Sequence, residues 1–168
     1  EKLRLDKAGQ YVVFSLVTRQ DLMTIDRLRN THHKGLRCMY LNEDQVLIVK
    51  IMPGILHEAS HQVLARMIIR KAIVMGIEDN ELFGMGATRI QGVASQKEVD
   101  AAFKPPTLRP LSTHWPTLVF ECGVSESLEQ LRVDGHWWLE NSSGEVKIVL
   151  LISVNKKARR IILEQWEM

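Results

Sequence analysis

Short apolar runs and longer stretches of helical periodicity alternate along the chain, and together they divide it into elements. Tyr11 to Val17 is rich in β-branched and aromatic residues and predicts a strand. Gln20 to Asn30 places Leu22, Met23, Ile25 and Leu28 at mixed spacing and predicts a short helix. Leu36 to Leu41 and Val46 to Met52 are apolar runs separated by Asn42-Glu43-Asp44-Gln45, the composition of a hairpin. Pro53-Gly54 breaks the second run. From about Ile55 to Met75, Leu56, Val63, Leu64, Met67, Ile68, Ala72 and Met75 recur at three- and four-residue steps. Arg66, Arg70 and Lys71 fall toward the other side, so an amphipathic helix laid on a sheet is expected, with Gly76 as its stop.

From Leu82 to Phe103 the pattern is strand-like with glycine interruptions, and Pro105, Pro106 and Pro110 mark an irregular loop reaching Pro116. Thr117 to Cys122 is a short apolar run with Glu121 near its end, suited to a strand buried on both faces. Ser125 is a candidate N-cap, and Glu126 and Glu129 favour the positive end of a helix that runs to about Leu139. Val146 to Val154 and Arg159 to Trp166 predict closing strands joined by a basic turn. No repeat or low-complexity tract divides the sequence. The expectation is one α/β domain over 1–168, a central mixed β-sheet flanked by α-helices. Within it, 1–45 forms an N-terminal strand and helix extension and 46–166 the core.

Apolar residues at 45% and charged residues at 25% fit an ordinary globular protein and exclude collagen-like or disordered classes. The longest apolar run, Ile148 to Ile152, is too short to span a bilayer, so no membrane partner is expected. The first dozen residues lack the apolar region of a signal peptide, and two cysteines make no disulfide framework, so the expected setting is intracellular, cytoplasm or nucleus. Lys plus Arg is 22 against 20 Asp plus Glu, a net charge of +2. That balance argues against a strong non-specific nucleic-acid binder but permits an enzyme that acts on nucleic acid through a local groove.

Two constellations carry candidate chemistry. His57-Glu58-Ala59-Ser60-His61 is an H-E-x-x-H pattern, which on a helix puts both histidines on one face as zinc hydrolases require. A third ligand is not in place: Leu64 and Met67 stand where the extended motif needs Gly and His, and Glu78 and Glu81 lie near the helix's end. The plainer reading is a polar helix start. The second constellation is Asp100 and Glu121, on predicted strands 21 residues apart, which neighbouring strands would bring together. A hard cation, Mg²⁺ or Mn²⁺, binds through such carboxylates and waters, and Glu58 from the long helix is a candidate third carboxylate. Leu118, Val119, Phe120 and Val124 imply that Glu121 is buried, so it must be paired, metal-bound or protonated.

The order of a helix with Glu58, a strand with Asp100, a strand with Glu121 and a helix from Ser125 resembles the PD-(D/E)XK nuclease superfamily, of restriction-endonuclease-like fold. Within it the likeness is to the Uma-type endonucleases. Met52-Pro53-Gly54-Ile55-Leu56-His57-Glu58, Glu98-Val99-Asp100, Pro116-Thr117-Leu118-Val119-Phe120-Glu121-Cys122, Ser125-Glu126-Ser127 and Trp137-Trp138-Leu139 carry it, over about residues 46 to 166. The resemblance implies metal-dependent hydrolysis of DNA or RNA phosphodiester bonds, with Asp100, Glu121 and Glu58 as metal ligands. It implies nucleic acid, DNA foremost, as partner, and a homodimer is compatible with it. The motif lysine is absent: Gly123 occupies its place. Arg132 is the nearest substitute and Lys97 the second, arginine supplying charge only because it stays protonated. A catalytically degenerate nucleic-acid- or protein-binding module is therefore the alternative, and a zinc hydrolase using His57, Glu58 and His61 the third reading.

Overall fold

A computed structural model describes residues 11–32, 36–51, 54–78, 80–124 and 127–168, and within these it forms ten strands and three helices. The Asn42–Gln45 turn closes as anticipated. Strand β2 (Leu36–Leu41) pairs antiparallel with β3 (Val46–Ile51), with Gln45 in the left-handed region at φ 52°. β1 (Tyr11–Phe14) adds to the outer side of β3. β6 (Ser95–Glu98) adds to β2 and carries β5 (Arg89–Gln91) beyond it, so the first sheet runs β1-β3-β2-β6-β5. Helix α1 (Arg19–His32) opens at Thr18, whose hydroxyl and amide both bond Asp21, and buries Leu22 with Cys38, Tyr40, Leu47 and Val49.

The second sheet is built on a parallel pair. β8 (Leu118–Val124) and β9 (Ile148–Asn155) lie in register through a crossover by α3 (Leu128–Asn141). β7 (Ala101–Lys104) and β10 (Arg160–Glu167) flank them antiparallel, and the short β4 (Phe83–Gly84) closes the order β10-β9-β8-β7-β4. Leu131 and Trp138 of α3 pack on Val119, Val149 and Leu151 as the main core. A Cβ at Gly135 would meet a Leu151 methyl at 3.2 Å, so this glycine lets α3 sit down on β9. Ser127 caps α3, its hydroxyl accepting from the Gln130 amide. The proposed cap at Ser125, with Glu126, and the break at Pro53 lie outside the described residues. No helix among the described residues is long and apolar enough to cross a membrane.

Two expectations are corrected. The single central sheet is two: the strand-like stretch read from Leu82 to Phe103 breaks at Val99-Asp100. β6 belongs to the first sheet and β7 to the second. Apolar alternation is a local signal and does not encode which neighbour a strand chooses. The long helix α2 (Gly54–Val74) also turns a different face inward. His57, His61 and Leu64 meet the second sheet, Leu64 against Cys122, Val124, Ile152 and Val154, whereas Leu56, Val63, Met67 and Met75 stay exposed. The histidines, counted as polar, occupy the buried stripe.

Candidate active site

The break between β6 and β7 opens a cavity of about 380 Å³ where the two sheets part. Arg37 of β2, Lys50 of β3 and Lys97 of β6 line it from the first sheet; Asp100 at the junction, Glu121 of β8 and Asp134 of α3 line it from the second. Ala101 pairs with Phe120, so the residues just beyond that pair, Asp100 and Glu121, come side by side as the strand pattern anticipates.

Asp100 is 3% exposed and heavily engaged. Its Oδ2 accepts from the Cys122 amide at 2.9 Å and lies 3.2 Å from His57 Nε2 and 3.9 Å from Lys50 Nζ. Arg37 Nε lies 3.5 Å from Oδ1. Burial opposes ionisation, but the Lys50 charge and the His57 contact overcome it and hold the carboxyl well below the usual carboxylate range. Glu121, 2% exposed, has the opposite fate. Trp138 Nε1 donates to its Oε1 at 2.5 Å and Lys97 Nζ stands 3.7 Å from the same oxygen. Burial dominates there, reinforced by the Asp100 and Asp134 charges against Lys97, and pushes the Glu121 carboxyl up to about 8. Two adjacent acids thus sit in opposite protonation states at neutral pH, the separation that acid–base sites exploit.

Lys97 is brought into the site. Its ammonium donates to Asp134 Oδ1, while Asp134 Oδ2 lies 3.7 Å from Lys50 Nζ. Arg132 is not brought there: its guanidinium makes a two-point contact with Glu164 on the outer face of β10, at 3.0 and 2.6 Å. Chain proximity to Gly123 suggested Arg132, but that side chain leaves α3 on its solvent side. Glu58 is also separated from the acidic pair. It does not line the cavity; its carboxylate lies 3.7 Å from Arg37 Nη2, 3.8 Å from His57 Nδ1 and 3.3 Å from His61 Nε2. His57 occupies the helix position that faces Asp100, so the next residue points about 100° round the helix.

Sequence reasoning missed Asp134, Lys50 and Arg37. Asp134 had a signal, since it falls on the apolar stripe of Leu131 and Trp138, where an ionisable residue needs a partner. Lys50 interrupts the apolar run Val46 to Ile51 in the same way. Trp137 and Trp138 are both buried, the first bonding Ser95 Oγ at 2.8 Å and lining the cavity. The basic turn at 156–159 is an exposed hairpin end.

No protein-family model matches the sequence, and no curated protein matches it. Among solved structures, the chain is similar to one described as a putative nuclease belonging to DUF820, from Anabaena variabilis. The TM-score is 0.53 and the identity 11%, over 78% of this chain and 76% of that one. The likeness is one of fold, and it agrees with the restriction-endonuclease-like α/β architecture.

Proposed function

We propose that the protein is a metal-dependent nuclease that hydrolyses phosphodiester bonds of nucleic acid. The observation that carries this reading is the meeting of Asp100, Glu121 and Lys97 in one cavity at the sheet junction of a nuclease-like fold. The donor set fits a hard divalent ion: two carboxylates open into a space with room for the several waters that Mg²⁺ or Mn²⁺ keeps. Such an ion, when bound, activates a water and neutralises charge on the attacked phosphate. The rest falls to the chain's own groups. Asp100, held ionised by Lys50 and oriented by the Cys122 amide and His57, is the fixed ligand. Glu121 is the ligand that must give up a proton. Lys97, 3.7 Å from Glu121, is the candidate to take over from the absent motif lysine and would supply positive charge for the developing phosphorane.

A second reading is favoured by the Lys97–Asp134 contact, which already compensates that ammonium. A nucleic-acid- or protein-binding module would keep the cavity in this self-paired state. Cleavage of plasmid and oligonucleotide substrates with Mg²⁺ or Mn²⁺ separates the two. Asp100→Asn and Lys97→Ala should each lower the rate at least about a hundredfold with the circular dichroism spectrum retained. Wild-type-like cleavage by both variants refutes the assignment, and binding without cleavage in the wild type establishes the module.

A further inference from the structure

We infer that His57, Glu58 and His61 form a second cation site, for a borderline divalent transition metal of the Zn²⁺ class, on the first two turns of α2. The three side chains offer two imidazole nitrogens and a carboxylate oxygen that all lie within 4.8 Å of one another. Their arrangement is that of ligands awaiting a common partner. His57 is 1% exposed, and its Nε2 lies 3.2 Å from Asp100 Oδ2 and 3.0 Å from the Cys122 carbonyl. Both neighbours only accept, so the ring proton resides on Nε2 and Nδ1 presents a lone pair. That Nδ1 is buried and has no hydrogen-bond partner. Neither ring nitrogen of His61, itself 5% exposed, has one either. Three buried nitrogens without partners on two adjacent turns is a deficit that native proteins seldom tolerate.

Asp100 holds His57 through Nε2 and leaves Nδ1 free, as in metal sites where a carboxylate fixes the tautomer and orientation of a ligating imidazole. Glu58 faces both rings, 3.8 Å from His57 Nδ1 and 3.3 Å from His61 Nε2, and its half-exposed side chain opens the cluster to solvent. Two imidazoles, one carboxylate and a water complete four-coordination for Zn²⁺, whereas Mg²⁺ is ill served by nitrogen donors. The Arg37 guanidinium, 3.7 Å from Glu58 Oε1, opposes a cation here. Asp100 offsets it from 3.5 Å and leaves it an outer partner of the carboxylate. Because Glu58 is one of the ligands, the cluster lacks the free glutamate base of the H-E-x-x-H proteases. It is a site that pins the start of α2 to Asp100. None of its three residues lines the cavity, and it adjoins the site of the nuclease reading through the contact of His57 with Asp100.

The probe is Co²⁺ titrated into the chelator-stripped full chain and followed by its visible d–d absorption. The expected result is an intense four-coordinate spectrum that saturates at about one equivalent, is displaced by Zn²⁺ and is unaffected by Mg²⁺. His61→Gln should abolish it and Glu58→Gln should weaken binding by at least about tenfold. Glu121→Gln, in the cavity, should leave the spectrum unchanged while it removes metal-dependent cleavage. Absence of the spectrum in the wild type overturns the inference whatever the variants do. So does its persistence in His61→Gln, or its loss in Glu121→Gln.

Discussion

Replacing Glu121 by Gln should stabilise the protein, and by an amount that grows with pH. Burial raises this carboxyl from an ordinary value of 4.5 to about 8. Between these values the folded chain holds a proton that the unfolded chain has released. A folded pKa above the unfolded one contributes stability that is fully present below about pH 4.5 and is lost as pH rises through about 8, at about 1.4 kcal/mol per pH unit. Glutamine titrates nowhere. Relative to it, the wild type should lose about 1 kcal/mol near pH 5.5 and about 3 kcal/mol near pH 7. The amide oxygen in the place of Oε1 still accepts from Trp138 Nε1 and still faces the Lys97 ammonium, while the new N–H₂ group takes the Oε2 position and adds a pH-independent amount. The slope is therefore the diagnostic and the offset is not. Urea unfolding followed by tryptophan fluorescence, in both proteins from about pH 5 to about pH 8, measures it. His61, lowered in the fold, titrates in both proteins and cancels from the difference, and Asp100, held below its ordinary value of 3.8, is ionised across the whole range. A difference that stays constant across this range would refute the argument that Glu121 is protonated by burial.

Cys122 is fully buried and its thiol is pushed up to about 12 by burial and the Asp100 charge, so a disulfide reagent should label it only as fast as the chain unfolds; prompt reaction in native buffer would contradict this. Glu98 accepts from Arg29 at 2.7 Å, from Arg89 at 2.8 and 3.1 Å and from the Cys38 amide at 3.2 Å. Glu98→Ala leaves Arg29 with Asp26 at 3.9 Å while Arg89 keeps its two-point contact with Asp26, and should cost about 2 kcal/mol in denaturant unfolding, a loss under about 1 kcal/mol showing that Asp26 and water replace it.

The elements were legible where the signal was local. The hairpin at Asn42–Gln45, the buried strand around Glu121 and the closing pair of strands all follow from apolar runs bounded by turn residues. Glu121 was legible as an acid on a buried strand; Asp100, expected on a strand, sits in the bend just before β7, and the two are adjacent because of the register of β7 on β8. What was not legible depends on partner choice. Nothing in Ser95 to Lys104 announces that its halves enter different sheets, because the choice of neighbouring strand is not written in either half. The inward face of α2 was misplaced because a hydropathy pattern counts histidine as polar, yet His57 is buried where its ring bonds Asp100. Arg132 and Lys97 show the limit of chain distance as a guide. The residue nearer in sequence to Gly123 points to solvent, and the one on another strand reaches Glu121.

The break at Val99-Asp100 explains the charge content of the site as well as its position. A continuous sheet would have buried these positions among apolar neighbours, where six ionisable side chains are prohibitive. Where the sheets part, Arg37, Lys50 and Lys97 meet Asp100, Glu121 and Asp134 at contacts of 3.9 Å or less. With the Glu121 proton in place, Arg37, Lys50 and Lys97 face Asp100, Asp134 and Glu98 around the same cavity, so its positive and negative groups balance. Ionisation of Glu121 tips the lining to a net negative charge, which favours a cation. Under the nuclease reading, a divalent ion and the Glu121 proton then compete for one carboxylate, so ion affinity should strengthen as pH approaches about 8. Under the module reading the proton stays and the cavity keeps its charge-balanced, self-paired state. The protonation of one buried glutamate thus separates a metal-binding site from a self-paired one on the same fold.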